Sequence, residues 1–366
     1  MRPTTEVELS EMIRSTAATV VVRGGGTRAL GRAEGPVLET GGLAGVRLYE
    51  PGALTLVARA GTPLAEIEAL LAGERQRLAF EVPDLRGLLG RDGASTIGGV
   101  VAANASGPRR VQAGACRDSL LGVRFVDGAG MVVKNGGRVM KNVTGYDLVK
   151  LMAGSRGTLG VLTEVSLRVQ ARPEAEVTLV ADCGEKAGGI EAGLAALRSA
   201  LGSPFEVSGA ACAGGRALLR VEGMAGSVAY RAAALRKRLG GAWGEAADGP
   251  ALWAAVRDVS AFAGRAGSVW RLVVTPSEAG RIVTTLSGEA VIDWGGGLIW
   301  LLTEAGQGAA VRAAVGRHGH ATLARASEGD AGTALHPPEL PAVARLSSGL
   351  RAAFDPRVIF AQGGKI

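Results

Sequence analysis

Cysteine and histidine are scarce: three of each in 366 residues. Cys116, Cys183 and Cys212 form no Cys-x-x-Cys pair and are too few for a four-ligand zinc or iron–sulfur site, so they read as small buried side chains. His318, His320 and His336 do not suffice for a histidine-based metal cluster, and no metal site is assigned. Aromatic residues make up 4% of the chain, which argues against base-stacking platforms for nucleic acid. No apolar run approaches the ~18 residues of a membrane span. The opening MRPTTEVELSEMIRS has an acidic early turn and no basic-then-apolar order, so no signal peptide is expected. The expectation is a cytoplasmic protein, or one peripheral at the inner membrane through partners.

Basic charge is present, but nearly all of it is arginine, and the net charge of +7 is uneven. Residues 107–170 carry ten basic and four acidic side chains, nearly the whole excess, which favours a local anionic ligand or an acidic partner over general DNA binding. Apolar residues at 47% suffice for a sizeable core, and the length suggests two domains.

Glycine is abundant: 57 residues, about twice the usual ~7%. Three clusters matter. Arg23-Gly24-Gly25-Gly26-Thr27-Arg28 follows a short β-branched run, Thr19–Arg23, and suits close backbone approach to a phosphate. Its Gly-x-Gly-x-x-Ala spacing formally fits a dinucleotide fingerprint. The following Leu30–Pro36 stretch, however, cannot hold the helix such a site requires. The second cluster, Ser95–Gly107, is almost all small residues, with Ser95, Thr96 and Asn104 as side-chain donors. The third, Gly154-Ser155-Arg156-Gly157-Thr158-Leu159-Gly160, precedes a strand expected over Val161–Val169. Three such loops, each at a strand edge, imply one extended cofactor wrapped by backbone.

Other elements are readable. Leu54–Ala60 reads as a strand, and Thr62 as the cap of a helix with Pro63 in its first turn and Leu64, Ile67, Leu70 and Leu71 on one face. Gly128-Ala129-Gly130 reads as a hairpin turn, and Tyr146–Met152 as a short helix. Near Arg172-Pro173 the texture changes to Ala-rich helices, Ile190–Leu201 and Val228–Leu239. Between them lie strands such as Ala217–Val221, Trp270–Thr275 and Leu298–Leu302. The tryptophans cluster between 243 and 300 and mark a second core.

The order RGGGT, TIGGVVAANASG, KNVTGYDL and GSRGTLGVLTE resembles the FAD-binding domain of the p-cresol methylhydroxylase/vanillyl-alcohol oxidase type. Within that type the chain is most similar to the FAD-binding subunit of bacterial glycolate oxidase. The resemblance implies an α+β fold: a two-subdomain FAD-binding domain (1–172), an α+β cap domain (173–340) and a C-terminal segment (341–366) returning to the first. It implies that Arg23, Gly24, Gly25, Gly26 and Thr27 wrap the pyrophosphate and that Pro83 and Asp84 lie near the flavin ring. Ser95, Thr96, Gly98, Gly99, Asn104 and Gly107 would line the dinucleotide. Gly157, Thr158, Gly160, Val161 and Leu162 would hold the adenine side and ring edge. With no His or Cys at positions 23–29, the FAD is expected to be noncovalent. The tail Phe360-Ala361-Gln362-Gly363-Gly364-Lys365 departs from the family pattern, as does the sequence after His318-Gly319-His320.

The implied activity is oxidation of a small 2-hydroxy acid to a 2-oxo acid, with electrons passed to partners, a second flavin subunit and an iron–sulfur subunit. Arg271 is the candidate for the substrate carboxylate, and Tyr146 is the second candidate catalytic residue. Two alternatives stand beside this: a stand-alone FAD-dependent dehydrogenase of the same fold, and a non-catalytic flavin-holding scaffold.

Overall fold

The computed structural model describes the chain except residues 32, 140–144, 185 and 363–366. Short β-branched segments form two sheets in the first half. β1 (Val21–Arg23) and β2 (Val37–Glu39) pair in parallel. β3 (Val46–Glu50), β4 (Thr55–Arg59), β5 (Gln76–Leu78), β6 (Leu120–Val126), β7 (Val132–Gly136) and β8 (Val161–Ala171) form an antiparallel sheet in the order β3-β4-β8-β6-β7, with β5 added to β8. The apolar faces of helices Leu64–Gly73 and Ile97–Ala102 cover this sheet through Ile67, Leu71, Ile97, Val100 and Val101. Pro63, not Thr62, caps the first of these helices. The Thr62 hydroxyl is occupied elsewhere: it donates to the Arg59 carbonyl at 2.7 Å and accepts from the Gly45 amide at 2.9 Å. Gly128–Gly130 turns β6 into β7, held by Asp127 Oδ1, which accepts from the Ala129 and Met131 amides.

The second sheet system has eight strands: β9 (Ala175–Asp182), β10 (Val207–Ala213), β11 (Arg216–Gly223), β12 (Gly244–Glu245), β13 (Ser268–Val274), β14 (Glu289–Asp293), β15 (Leu298–Thr303) and β16 (Gly319–Arg325). Their order is β12-β9-β11-β10-β14-β15-β13-β16. Alternation along a strand sends neighbouring residues to opposite faces. Trp270 therefore lies in the core beneath helices Ala187–Leu201, Ala225–Leu239, Ala279–Thr285 and Gly308–Val315. Trp300 and Trp294 lie on the other face, with Trp253 and Phe262, packed against Leu88 of the first half.

Polar contacts join the halves across that face. Arg77, Glu81 and Arg109 meet Arg220 and Glu222 of β11 in one buried ionic network. Arg109 forks onto Glu222 with two bonds of 3.0 Å, Arg220 reaches Glu81 at 2.9 Å and Arg77 reaches Glu222 at 2.6 Å. The Trp294 indole donates to the Gly107 carbonyl at 3.0 Å, and the Asp84 amide to Asp258 at 2.8 Å. After helix Pro341–Phe354 the chain returns to its beginning. Ile359 and Phe360 join Leu9, Ile13 and Val20 in one core, and Val20 exchanges backbone bonds with Ile359 and Ala361.

Candidate functional site

The three glycine clusters converge. Gly24 and Gly25 lie against the second cluster so closely that an added Cβ would sit 2.5 Å from Thr96 Oγ1 and 1.6 Å from the Ala94 carbonyl oxygen, respectively. The third cluster is bonded to the end of helix Ile97–Ala102: the amides of Gly154 and Arg156 donate to the Val101 and Ala102 carbonyls. Gly157, at φ +78°, packs on Val22 of β1. Arg28 ties the first two clusters to the loop before residue 84. It donates to the hydroxyls of Thr27 and Ser95 and, at 2.8 Å, to the Pro83 carbonyl. Sequence reasoning gave roles to Thr27, Pro83 and Ser95 but none to Arg28, the arginine at the end of the first cluster that joins them.

This convergence suits a phosphate-bearing cofactor. The amides of Gly25, Gly26 and Thr27 donate to nothing among the described residues. Gly26 takes φ +71°, the left-handed conformation that turns successive N–H groups inward to form an anion nest. Ser155 Oγ and Arg28 Nε are buried without partners, in the loops that meet here. FAD fits these residues: unpaired donors for its phosphates, and glycine-lined backbone for its extended body.

Several residues assigned to the cofactor have other work. Arg23 pairs with Glu39, and Asp84 with Arg86, which holds the carboxyl below its usual pKa. Gly98 lets its helix meet β4, where an added Cβ would lie 2.7 Å from Ala60. Gly107 fits against Glu81 and Arg257 at the junction of the halves. Asn104, at φ +46°, accepts from the Arg117 amide, and Thr158 donates to the Ser155 carbonyl. Gly160 packs on Phe125, and the Val161 and Leu162 side chains are core, leaving only their backbone for a ligand. Gly99 has open room apart from its own Thr96.

Arg271 lies at the centre of the face turned to the glycine loops. Strand register places Trp300 on one side of it and Thr322 on the other, with His320 two residues away on the same face. The guanidinium stands 5.6 Å from the Trp294 ring and 6.0 Å from the Trp300 ring. Arg110 stacks on the same Trp294 ring at 4.7 Å. Burial, with Arg110 and Arg156 nearby, pushes the Arg271 pKa down to about 10. Arg156 keeps an exposed edge, yet desolvation by the surrounding protein lowers its pKa too. Burial and Arg271 lower His320. His336, which meets Thr322 Oγ1 at 3.3 Å, is lowered by burial, Arg156, His320 and Arg312. Sequence reading singled out Arg271 but not Arg110, Arg156, Trp294 or Trp300, because residues so far apart in the chain share no periodicity.

The histidine pair divides. His318 sits in a turn before β16, beside Glu278, whereas His320 is on the strand beside Arg271. Among the described residues no three His, Cys, Asp or Glu side chains converge as a metal would need. Tyr146 is 88% exposed, and no hydrogen bond or ring contact joins it to Arg271. The KNVT stretch before it, and the end of the tail, lie outside the described residues.

Glycolate oxidase subunit GlcE of Escherichia coli (strain K12) is 37% identical over 352 residues, 95% of this chain and 93% of its own length. The chain belongs to the glycolate oxidase FAD-binding subunit family. Residues 1–136 match the FAD binding domain family, so the first two glycine clusters lie inside the part it recognises. Other relatives match over shorter stretches. Glycolate oxidase subunit GlcD of Bacillus subtilis (strain 168) is 41% identical over 87 residues, 24% of this chain and 18% of its own. The solved structure of alkyldihydroxyacetonephosphate synthase superposes with a TM-score of 0.69 at 13% identity, covering 98% of this chain and 75% of that one, a likeness of fold alone. The α+β fold with an FAD-binding domain of this type is thus the fold of the chain. No helix among the described residues is long and apolar enough to cross a membrane.

Proposed function

We propose that the chain is the FAD-holding subunit of a complex that oxidises a 2-hydroxy acid, glycolate being the simplest, to the 2-oxo acid and passes the electrons to a partner subunit. In this reading residues 1–172 hold a noncovalent FAD, 173–340 cap it and 341–366 complete the first domain. The observation that carries the proposal is Arg271: a guanidinium without a carboxylate partner among the described residues, on the sheet face turned toward the converged glycine loops. Bound FAD would supply the two-electron acceptor. Arg271 would hold the substrate carboxylate with two parallel N–H···O bonds, fixing the α-carbon. His320, kept neutral near pH 7 by burial and by Arg271, would take the hydroxyl proton on an imidazole nitrogen. That role goes to His320 rather than Tyr146, whose phenol is 88% exposed and has no hydrogen bond or ring contact to Arg271. Trp294 and Trp300 would wall the substrate and exclude water.

The test is anaerobic mixing of the FAD-loaded chain with glycolate and D-lactate while absorbance near 450 nm is followed. Bleaching in the wild type, with a loss of about 100-fold or more in the rate for Arg271→Gln and for His320→Gln, supports the reading. A wild-type flavin that no 2-hydroxy acid reduces, alone or with its partners, overturns it.

A further inference from the structure

The molecule matches its buried arginines with carboxylates in one place and leaves half-buried and exposed arginines unmatched in another. Arg77, Arg109 and Arg220 share Glu81 and Glu222 at the junction of the halves. In the cleft the balance is different. The charged groups acting on Arg271 are Arg110 and Arg156, both cations. Arg156 acts on Arg271 and on His336, and no ion pair with a carboxylate offsets it among the described residues. Arg110 donates to Ser106 Oγ at 3.0 Å, and the acid that acts on it, Asp118, already accepts from the Ala115 amide and lies beside Arg117. On the rim, His336 has Glu339 as its acid. Arg110, which shares the Trp294 ring with Arg271, and Arg156 both oppose the charge of Arg271, a cost that a purely structural site avoids by adding a carboxylate. One ligand carboxylate satisfies one guanidinium fork. It would leave two cations uncompensated, one on each of two segments of the opposite wall.

We infer that the cleft takes a dicarboxylate, a 2-hydroxy acid or its 2-oxo product bearing a second carboxylate, with one end on Arg271 of β13 and the other between Arg110 and Arg156. The 2-hydroxy group in this statement rests on the proposed oxidation; the requirement for two anionic ends rests on the cation set alone. The two ends differ in kind. Arg271 lies against two indole rings and is fixed in direction, which suits the end that must be aligned. Arg156 keeps an exposed edge and, with Arg110, suits a second carboxylate at a less fixed distance.

The experiment titrates the FAD-loaded chain at constant ionic strength with acetate, glycolate, malonate, D-malate and D-2-hydroxyglutarate. Binding is followed by the flavin absorbance shift and by tryptophan fluorescence, to which Trp294 and Trp300 contribute. The dicarboxylates are expected to bind about tenfold or more tightly than their monocarboxylate counterparts. Arg156→Gln and Arg110→Gln should each bring the dicarboxylate affinity down toward that of glycolate. Equal affinity for one- and two-carboxylate ligands in the wild type overturns the inference. So does an Arg156→Gln variant that releases FAD while keeping the dicarboxylate preference, because the cation would then serve the cofactor. If dicarboxylates bind as expected but no 2-hydroxy acid reduces the flavin, the inference stands and the oxidation reading falls. If glycolate reduces the flavin and dicarboxylates show no preference, the reverse holds.

Discussion

Gly25 is restricted to glycine by a carbonyl oxygen. An added Cβ would sit 1.6 Å from Ala94 O, so any side chain forces the first two glycine clusters apart. The constraint lies in backbone packing, one step before any phosphate contact. Gly25→Val is expected to lose about 1–3 kcal/mol of stability, as overpacked sites do, and to lose FAD as well. Urea unfolding and the flavin-to-protein absorbance ratio test both, and full flavin content with unchanged stability would contradict the assignment. Asp293 is a second single-residue case. Burial raises its pKa to about 7, only partly offset by the Trp294 amide that donates to it. Between the unfolded value near ~3.9 and about 7 the folded state holds the extra proton, so stability falls as pH rises through that window. Asp293→Asn keeps the accepting oxygen and removes the titration. It should raise the urea midpoint most at pH 8 and by a smaller amount at pH 5.

At the scale of elements, β11 is the strand that fastens one half to the other. Glu222 is lowered despite the opposing effect of burial, because hydrogen bonds from Arg109 and the charges of Arg220, Arg109 and Arg77 outweigh it. Its contribution is present above the unfolded carboxylate value near ~4.3 and is lost as pH falls through the lower folded value. Glu222→Gln leaves three arginines short of a buried partner and should cost about 3–5 kcal/mol, read as a lower urea midpoint at pH 7. A midpoint within experimental error of the wild type would show that the network is not what fastens the halves. The C-terminal segment acts similarly on the first half. Phe360 is buried among Leu9, Ile13 and Val20, so Phe360→Ala is expected to cost about 3–5 kcal/mol.

For the whole molecule the question is where electrons go. The chain holds three cysteines; Cys183 and Cys212 meet through their side chains and Cys116 stands apart in the first half, too few together for a four-ligand cluster. Cys116 and Cys212 are buried, with thiols pushed up by desolvation, to about 12 for Cys212, which disfavours the thiolate that a metal cluster needs. The proposed function therefore relies on partners for onward transfer. The isolated chain is expected to bind FAD that acid precipitation fully releases, and to turn over glycolate slowly with an artificial acceptor. Co-expression with a second flavin subunit and an iron–sulfur subunit should raise that rate. Flavin retained in the acid pellet would contradict noncovalent binding. Equal rates for the isolated chain and the complex would make it an independent dehydrogenase.

The sequence by itself determined the local elements, the glycine loops and, through their order, the FAD-binding family. Each of these is written in contiguous residues: a β-branched run, a turn glycine, an amphipathic helix face. The strands over Thr55–Arg59, Val161–Ala171 and Ser268–Val274 and the helix Leu64–Gly73 were legible for that reason. The cleft was not. Arg110 opens the short helix Arg110–Ala113, Arg156 comes from a loop, Trp294 from the turn after β14, and Arg271 and Trp300 from one face of a sheet whose strand order is not the chain order. His318 and His320 are two residues apart yet end in different surroundings, because a turn precedes the strand. Which arginines receive a carboxylate partner and which are left for a ligand depends on strand register and on how the halves dock. Those are sums of many long-range contacts that no local pattern encodes.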